Sequence, residues 1–230
     1  MAEQRDAYKA AAAARALELI APGMVVGLGS GTTCRFFIEG LGKLVRAGVS
    51  VVGVPTSRQT AELAVALGIP ITEIITEPID IAIDGADEID PHLSLIKGRG
   101  GALFREKVVA AAALRFVVIA DEMKLVDRLG VGVLPVEVLP FLWRQTAERL
   151  ETLCEAVHIR GGVSQPYMTD NGNLILDLSF AEPIAEPAAL AAGLAATVGV
   201  VEHGLFLGMV TACILGGPQG TRHLGSLERN

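Results

Sequence analysis

The sequence predicts an α/β protein whose first half is a doubly wound parallel sheet and whose second half contains a smaller α+β domain. In the first half, short apolar strands without polar alternation are separated by Ala- and Leu-rich helices. Strands that are apolar on both faces need cover on both sides, which the crossover helices of a parallel sheet provide. The second observation is a change near Gly130, after which strands and helices no longer simply alternate.

The elements of the first half follow one another with short connections. Residues 4–20 are rich in alanine and favour a helix that Pro22 and Gly23 close. The later predictions are, in order, a strand at 24–29, a helix at 32–45, a strand at 49–57, a helix at 58–68, strand candidates at 70–74 and 79–84, a helix at 103–115 and a strand at 116–121.

A different order of elements follows Gly130. The predictions are a strand at 131–140, an amphipathic helix at 141–157, a hairpin at 167–180, a helix at 187–199 and a strand at 200–206. The hairpin rests on Asn171-Gly172, a strong turn signal between alternating apolar residues. Because residues 209–225 again have the composition of a buried strand, we expect the chain to return to the first domain there. The predicted domains are 1–130 plus 205–230, and 131–204.

Composition restricts the classes of partner. A net charge of -7 argues against a broad surface for nucleic acid or anionic membrane. The three cysteines and four histidines are scattered without metal-ligand spacing, so we expect no structural metal and small, buried, unreactive cysteines. The N-terminal segment lacks the layout of a signal peptide, and no apolar run has the length of a membrane span. These features predict a cytoplasmic protein that binds neither nucleic acid nor membrane.

The first stretch that could form a binding site is "GLGSGTT", residues 27–33, which lies between a predicted strand and a predicted helix. Small residues and a helix start can bind a phosphate, and Ser30, Thr32 and Thr33 would add hydroxyl donors. It does not match a nucleotide fingerprint, because Thr32 stands at the third glycine position and the P-loop lysine is absent. A tight turn with a helix cap is the structural alternative.

The second stretch is "DGADEID", residues 84–90, with carboxylates at Asp84, Asp87, Glu88 and Asp90. At the carboxyl edge of a parallel sheet they would lie where open α/β folds bind ligands. The alternative is that these acids simply face water.

The third stretch is "KGRGGALFREK", residues 97–107. Its glycines make an adaptable loop that carries Lys97 and Arg99, and Glu106 falls in the first turn of the next helix. The alternative is a plain connector whose Glu106 complements the helix dipole.

Together, the three stretches provide an anion cradle, carboxylates and a lysine, a set that suits proton transfer on a phosphorylated sugar. In that chemistry a carboxylate removes a proton next to a carbonyl, and a lysine or backbone donors stabilise the enediolate oxygen. That chemistry requires no metal and no organic cofactor.

With these motifs the chain resembles ribose-5-phosphate isomerases of the A type. The matching stretches, in family order, are "GLGSGTT", "DGADEID", "KGRGGALFREK", "ADEMKLVDRLG" (120–130), "LPVEVLP" (134–140) and "TDNGNLILD" (169–177). The resemblance implies interconversion of D-ribose 5-phosphate and D-ribulose 5-phosphate in the pentose phosphate pathway, by a homodimer or a homotetramer. It also implies a Rossmann-like α/β domain with an inserted, ferredoxin-like α+β domain.

The resemblance implies roles for individual residues. Glu106 would be the general base that moves the proton between C2 and C1, and Lys97 would stabilise developing negative charge. Asp84 and Asp87 would contact the sugar hydroxyls and assist ring opening and proton transfer. The substrate-binding residues so implied are Ser30, Gly31, Thr32, Thr33, Asp84, Gly85, Ala86, Asp87, Lys97, Gly98, Arg99, Gly100 and Lys124.

This sequence departs from the family pattern at two places. The predicted phosphate loop has the sequence S-G-T-T where some members have T-G-S-T. Because the hydroxyl side chains are preserved, we expect this difference to have no effect on function. Arg99 stands where many members have glycine, and we expect it to alter affinity or the shape of the loop.

Two other functions compete with the isomerase interpretation. A non-catalytic sugar-phosphate sensor would resemble the effector domains of some transcription regulators, but the 23 residues before the first predicted strand are too few for a helix-turn-helix module. An acyl-CoA transferase relative also uses a glutamate on a related scaffold, but "GSGTT" and "DGAD" fit it poorly. Turnover of a sugar phosphate separates these functions.

Overall fold

The computed structural model describes residues 2–228. The helices are α1 (Ala2–Leu17), α2 (Thr32–Arg46), α3 (Arg58–Ala66), α4 (Leu103–Ala111), α5 (Trp143–Leu150) and α6 (Pro187–Ala196), with a 3-10 turn at Glu122–Lys124. The strands are β1 (Val25–Leu28), β2 (Val52–Pro55), β3 (Ile81–Asp84), β4 (Glu88–Ile89), β5 (Leu95–Ile96), β6 (Phe116–Asp121), β7 (Leu134–Val138), β8 (Ala156–Ile159), β9 (Leu174–Ser179), β10 (Val200–His203), β11 (Leu205–Phe206), β12 (Ala212–Gly217) and β13 (Gly220–Gly225). Within residues 2–228, no helix is both long enough and apolar enough to cross a membrane.

The chain forms two compact units. The first unit comprises the residues up to Ala86, Arg105–Lys124 and the residues from Met209 onward, and the second comprises Asp87–Phe104 and Leu125–Gly208. The segment 87–104 belongs to the second unit because β4 and β5 pair with each other and with β11 rather than with the large sheet. The predicted division into a main domain and an insertion at 131–204 rests on the order of helices and strands along the sequence, and it stays a prediction.

The first unit is built on a six-stranded sheet in the order β13-β12-β6-β3-β1-β2. Five strands are parallel, which confirms the predicted α/β class. β13 runs antiparallel to β12, because the two residues between them can make a hairpin but no crossover. Leu28 of β1 pairs with Pro55 of β2 and with Ile83 of β3, so these three strands end at the same edge of the sheet.

The alanine-rich sequence of α1 allows this helix to pack closely on the first unit. Ala12, Ala13 and Ala16 are buried in one apolar cluster with Phe37 and Leu41 of α2. Each large side chain buried there contributes about 1.5–3 kcal/mol. The strands β1, β3, β6 and β12 and the helix α3 also contribute residues to this core.

The second unit contains a four-stranded antiparallel sheet in the order β10-β7-β9-β8. The chain order β7-α5-β8-β9-α6-β10 is the ferredoxin-like arrangement, as the resemblance implies. Apolar residues from β7, β9, α5 and α6 form its core, among them Val136, Leu150, Leu176 and Leu194. The three-stranded sheet β11-β5-β4 belongs to the same unit.

Three element predictions are wrong in detail. Residues 70–74 form no strand, since only Ile71 bridges to Gly53. The predicted helix at 141–157 ends at Leu150, and β8 occupies its last residues because they pair with β9. At the predicted hairpin, a tight turn does occur at Asn171-Gly172, but Met168 and Leu174 form only a single antiparallel bridge, and β9 pairs along its length with β7 and β8. In the second and third cases, pairing within the sheet decides the structure of a segment whose own pattern is ambiguous.

Candidate active site

The β1–α2 junction in the first unit presents backbone donors to an open cavity. Gly31 takes a positive φ of 95° at the start of α2, and no described side chain caps the helix. Gly31 and the exposed Thr32 line a cavity of about 490 Å³. An uncapped helix start has N–H groups and a partial positive charge that can receive an anion.

Asp84, at the end of β3, is held by donors from this junction. Its Oδ1 accepts hydrogen bonds from the backbone N–H of Gly85 at 2.7 Å and of Ser30 at 3.2 Å, and from the Cys34 thiol at 3.4 Å. The side chain is only 3% exposed. Three donors on one oxygen fix the orientation of the carboxylate.

Four hydroxyl groups, those of Ser30, Thr56, Ser57 and Thr60, form a hydrogen-bonded cluster between the β1–α2 junction and the residues that follow β2. We call it the hydroxyl cluster. The Ser30 Oγ lies 2.8 Å from Thr56 Oγ1, 2.9 Å from Ser57 Oγ and 3.3 Å from Thr60 Oγ1. Thr56 donates to the Leu28 carbonyl at 3.0 Å and Thr60 to the Gly29 carbonyl at 3.1 Å. The Ser30 hydroxyl therefore contacts protein hydroxyls, and its role as a donor to a ligand stays a prediction.

Glu106 and Lys124 complete the set of sequence-predicted residues in the first unit. Glu106 lies in the first turn of α4 and is 6% exposed, although a carboxylate that only complemented a helix dipole could remain in water. Lys124 ends the 3-10 turn that follows β6 and is half-buried.

The second unit holds Asp87 and the loop Lys97–Gly101. Asp87 Oδ2 accepts a hydrogen bond from the Arg99 backbone N–H at 2.9 Å, and its Oδ1 lies 4.0 Å from the Arg99 Nε. The Arg99 side chain is exposed. The side chain of Arg99 thus puts a cation near Asp87.

Lys97 follows β5 and is buried, with 3% of its surface exposed. Its backbone N–H donates to the Gly204 carbonyl at 2.9 Å, and its Nζ lies 5.5 Å from the centre of the Phe206 ring. A buried ammonium over an aromatic face is stabilised by the ring's quadrupole.

The remaining acids of "DGADEID" have structural contacts. Glu88 accepts hydrogen bonds from the backbone N–H groups of Gly130 and Gly132, and Asp90 accepts from those of His92 and Ser94. Asp84, Glu88 and Asp90 are all buried, so the alternative of a solvated acidic loop is wrong.

The described residues show no group of three or more His, Cys, Asp or Glu side chains that could hold a metal. The prediction of metal-free and cofactor-free chemistry stays a prediction. All three cysteines are free thiols, and burial raises the pKa of Cys213 to about 12, which makes it unreactive.

Within each unit the structure joins some predicted residues directly. It brings Ser30, Asp84 and Gly85 together in the first unit, and Asp87 and Arg99 in the second. The hydroxyl contacts of Thr56, Ser57 and Thr60 were not predicted from the sequence, although polar residues follow the β2 strand as they follow β1. The thiol contact of Cys34 to Asp84 was not predicted either.

Comparison with known proteins extends the motif resemblance to almost the whole chain. Residues 52–220 match the family model of ribose 5-phosphate isomerase A (phosphoriboisomerase A). The ribose-5-phosphate isomerase A of Roseiflexus castenholzii is 52% identical over 218 residues, which cover 93% of this chain and 93% of the relative.

Two solved structures have the same fold over nearly their full length. A D-ribose-5-phosphate isomerase in complex with phospho-erythronic acid gives a TM-score of 0.91 at 41% identity and covers 96% of this chain and 99% of that chain. The ribose 5-phosphate isomerase from Plasmodium falciparum gives 0.92 at 36% identity, again with 96% and 99% coverage.

Proposed function

The chain belongs to the ribose 5-phosphate isomerase A family, and we propose that it interconverts D-ribose 5-phosphate and D-ribulose 5-phosphate. One structural observation carries the proposal beyond family membership. Asp84, Lys97 and Glu106 are all at least nine-tenths buried. Burying a charged group costs on the order of several kcal/mol, which hydrogen bonds such as those on Asp84 only partly offset. Their burial fits groups that serve a reaction.

The proposed reaction is a proton transfer through an enediolate. Glu106 takes the proton from C2 of the open-chain aldose and returns it to C1, so that the C1 carbonyl becomes a hydroxyl and C2 becomes the carbonyl. Lys97 stabilises the negative charge that develops on the enediolate oxygens. Asp84 and Asp87 assist ring opening and move the hydroxyl protons.

The contacts of the two aspartates support these roles. The donors around Asp84 and the Arg99 N–H on Asp87 hold each carboxylate in one orientation, which proton transfer requires. We assign substrate binding to residues 30–33, 84–87, 97–100 and Lys124. The start of α2 supports a phosphate position there, because no described side chain caps it and its Gly31 and Thr32 line a cavity. A relative crystallised with phospho-erythronic acid, a phosphorylated sugar acid, fits this chemistry.

The same proposal includes cell location, assembly and place in metabolism. We propose a cytoplasmic homodimer or homotetramer that acts in the pentose phosphate pathway. These points rest on the family resemblance. Light scattering of the purified protein tests the assembly.

The test of the function is conversion of ribose 5-phosphate by purified protein in the presence of EDTA, beside the Glu106→Gln variant. We expect metal-independent turnover that Glu106→Gln lowers at least ~10²-fold, with the affinity for phospho-erythronic acid largely kept. Glu18→Gln, which changes an exposed glutamate of the first unit, is the control and should be silent. Near-native turnover by Glu106→Gln would contradict the assignment of the base, and binding of ribose 5-phosphate by an inactive wild type would favour the sensor.

A further inference from the structure

A bidentate ion pair with Asp177 fixes the side chain of Arg160, the residue that directly follows β8. The Arg160 Nε donates to Asp177 Oδ2 at 2.9 Å, and its Nη2 donates to Asp177 Oδ1. The two side chains are 16% and 18% exposed, so the pair is only partly screened by water. Asp177 belongs to the "TDNGNLILD" stretch, to which the proposed reaction gives no role.

The other end of the guanidinium holds the loop Lys97–Gly101. The Arg160 Nη1 donates to the Gly98 carbonyl and to the Arg99 carbonyl, each at 3.0 Å. The planar guanidinium can bind a carboxylate along one edge and carbonyls at its far end at the same time. A lysine has one nitrogen on a flexible stem and cannot make both sets of contacts.

Tyr167 makes a second contact with the same loop. Its hydroxyl donates to the Gly100 carbonyl at 3.2 Å, and a Cβ on Gly101 would lie 2.4 Å from that hydroxyl oxygen. The Tyr167 N–H donates to the Arg160 carbonyl at 2.8 Å, so both residues stand at the base of one connection. Three successive carbonyls, those of residues 98–100, are therefore held from the ferredoxin-like part of the second unit, and Gly101 packs against Tyr167.

One peptide group links Arg160 to Asp87. The Gly98 carbonyl accepts from Arg160, and the Arg99 N–H of the same peptide group donates to Asp87 Oδ2. A cation on the carbonyl fixes the peptide plane and polarises its N–H, which strengthens the bond to the carboxylate. The orientation of Asp87 therefore depends on Arg160 through a single rigid plane.

We propose that Arg160, aimed by Asp177, is a positioning residue for the isomerisation and orients Asp87 through the Gly98–Arg99 peptide. The inference rests on the proposed function, because it takes Asp87 to be one of the acids of the reaction. It assigns a purpose to the Arg160–Asp177 pair and to Tyr167, which contact the loop and not the reacting groups.

The experiment compares Arg160→Lys with the wild type by kinetics and by amide hydrogen exchange. We expect Arg160→Lys to lower kcat/KM by ~10-fold to ~10²-fold, the scale of a small misplacement of a catalytic group. The amides of Lys97, Arg99 and Gly101, which are hydrogen-bonded in the wild type, should exchange faster. In an Asp87→Asn background the same Arg160→Lys change should cost less than ~3-fold, because its route to the reaction is already lost.

Thr146→Val is the matched control for a general loss of stability in the second unit. Thr146 is buried in α5 and donates to the Val198 carbonyl at 3.4 Å, without contact to the loop. It should lower the melting temperature and leave both kcat/KM and loop exchange unchanged. If Arg160→Lys does not fold, Tyr167→Phe removes only the bond to Gly100 and should lower kcat/KM about 3-fold.

Three results would overturn the proposal: unchanged loop exchange in Arg160→Lys, faster exchange with kcat/KM within ~2-fold of wild type, or an undiminished penalty in the Asp87→Asn background. A wild type without isomerase activity would instead refute the proposed function. In that case loop exchange and the affinity for phospho-erythronic acid decide whether Arg160 orders the loop.

Discussion

Two glycine-containing loops, one in each unit, differ in what holds them. The loop Gly29–Thr33 in the first unit is held by neutral hydroxyls and by Asp84, whereas the loop Lys97–Gly101 in the second unit is held by the charged guanidinium of Arg160. The hydroxyl partners follow the adjacent strand β2 or lie in the first turn of α3, about 30 residues along the chain. Arg160 lies 62 residues from Gly98.

Because of this difference, we expect the two loops to tolerate different kinds of amino-acid substitution. Around Gly29 the backbone and side chain of Asp84 leave no room for another atom, since a Cβ would lie 2.2 Å from Asp84 Oδ1. At Gly100 a Cβ would meet nothing within 4 Å. The first loop should therefore be sensitive to added volume, and the second to the loss of the long side chains that reach it.

The largest effect that would test this comparison is expected for Gly29→Ala. The added Cβ would also lie 2.6 Å from the Asp84 Cα, so the backbone of one strand end must move and take the carboxylate with it. We expect kcat/KM for ribose 5-phosphate to fall at least ~10²-fold, as for other displaced catalytic groups. Steady-state kinetics beside a thermal melt check it, and near-native kcat/KM would show that Asp84 tolerates displacement.

A smaller effect is expected for Thr60→Val, which keeps the shape of the side chain and removes its hydroxyl. The Gly29 carbonyl loses its donor and the Ser57 hydroxyl its acceptor, at a cost of about 1–3 kcal/mol in the free energy of unfolding. Because Thr60 acts on the loop and not on the reacting carbons, KM should rise several-fold while kcat stays nearly constant. Denaturation and kinetics test this, with Thr60→Ser as the variant that should restore KM; failure of the serine to do so would argue for methyl packing instead.

The fold could be predicted where the pattern of one segment determines its structure. The alanine-rich α1 and the uniformly apolar β6 needed no knowledge of their partners. β8 could not be predicted, because its four residues are only partly buried and become a strand by pairing with β9. The short strands β4, β5 and β11 depend on one another in the same way.

The site could be predicted to the extent that its residues follow strand ends. Asp84 ends the buried strand β3 and Ser30 follows β1 after one residue, at the edge where open α/β folds bind ligands, and their mutual contact follows from the parallel register. Arg160 carries no comparable signal, because its partners Gly98 and Arg99 come from a segment far away in the chain. The burial of Lys97 likewise depends on Gly204 and Phe206, which no local pattern connects to it.

The smallest effect is expected for Gly100→Ala, the counterpart of Gly29→Ala in the other loop. Gly100 is exposed and has no positive φ, so alanine meets neither a neighbouring atom nor a forbidden backbone conformation. We expect kcat/KM and the melting temperature to stay close to wild type, within about 2-fold for the rate. A loss as large as that of Gly29→Ala would mean that a substrate approaches the Gly100 backbone as closely as Asp84 approaches Gly29. The second loop would then be limited by volume as well, and its anchoring by Arg160 and Tyr167 would explain only part of its sequence.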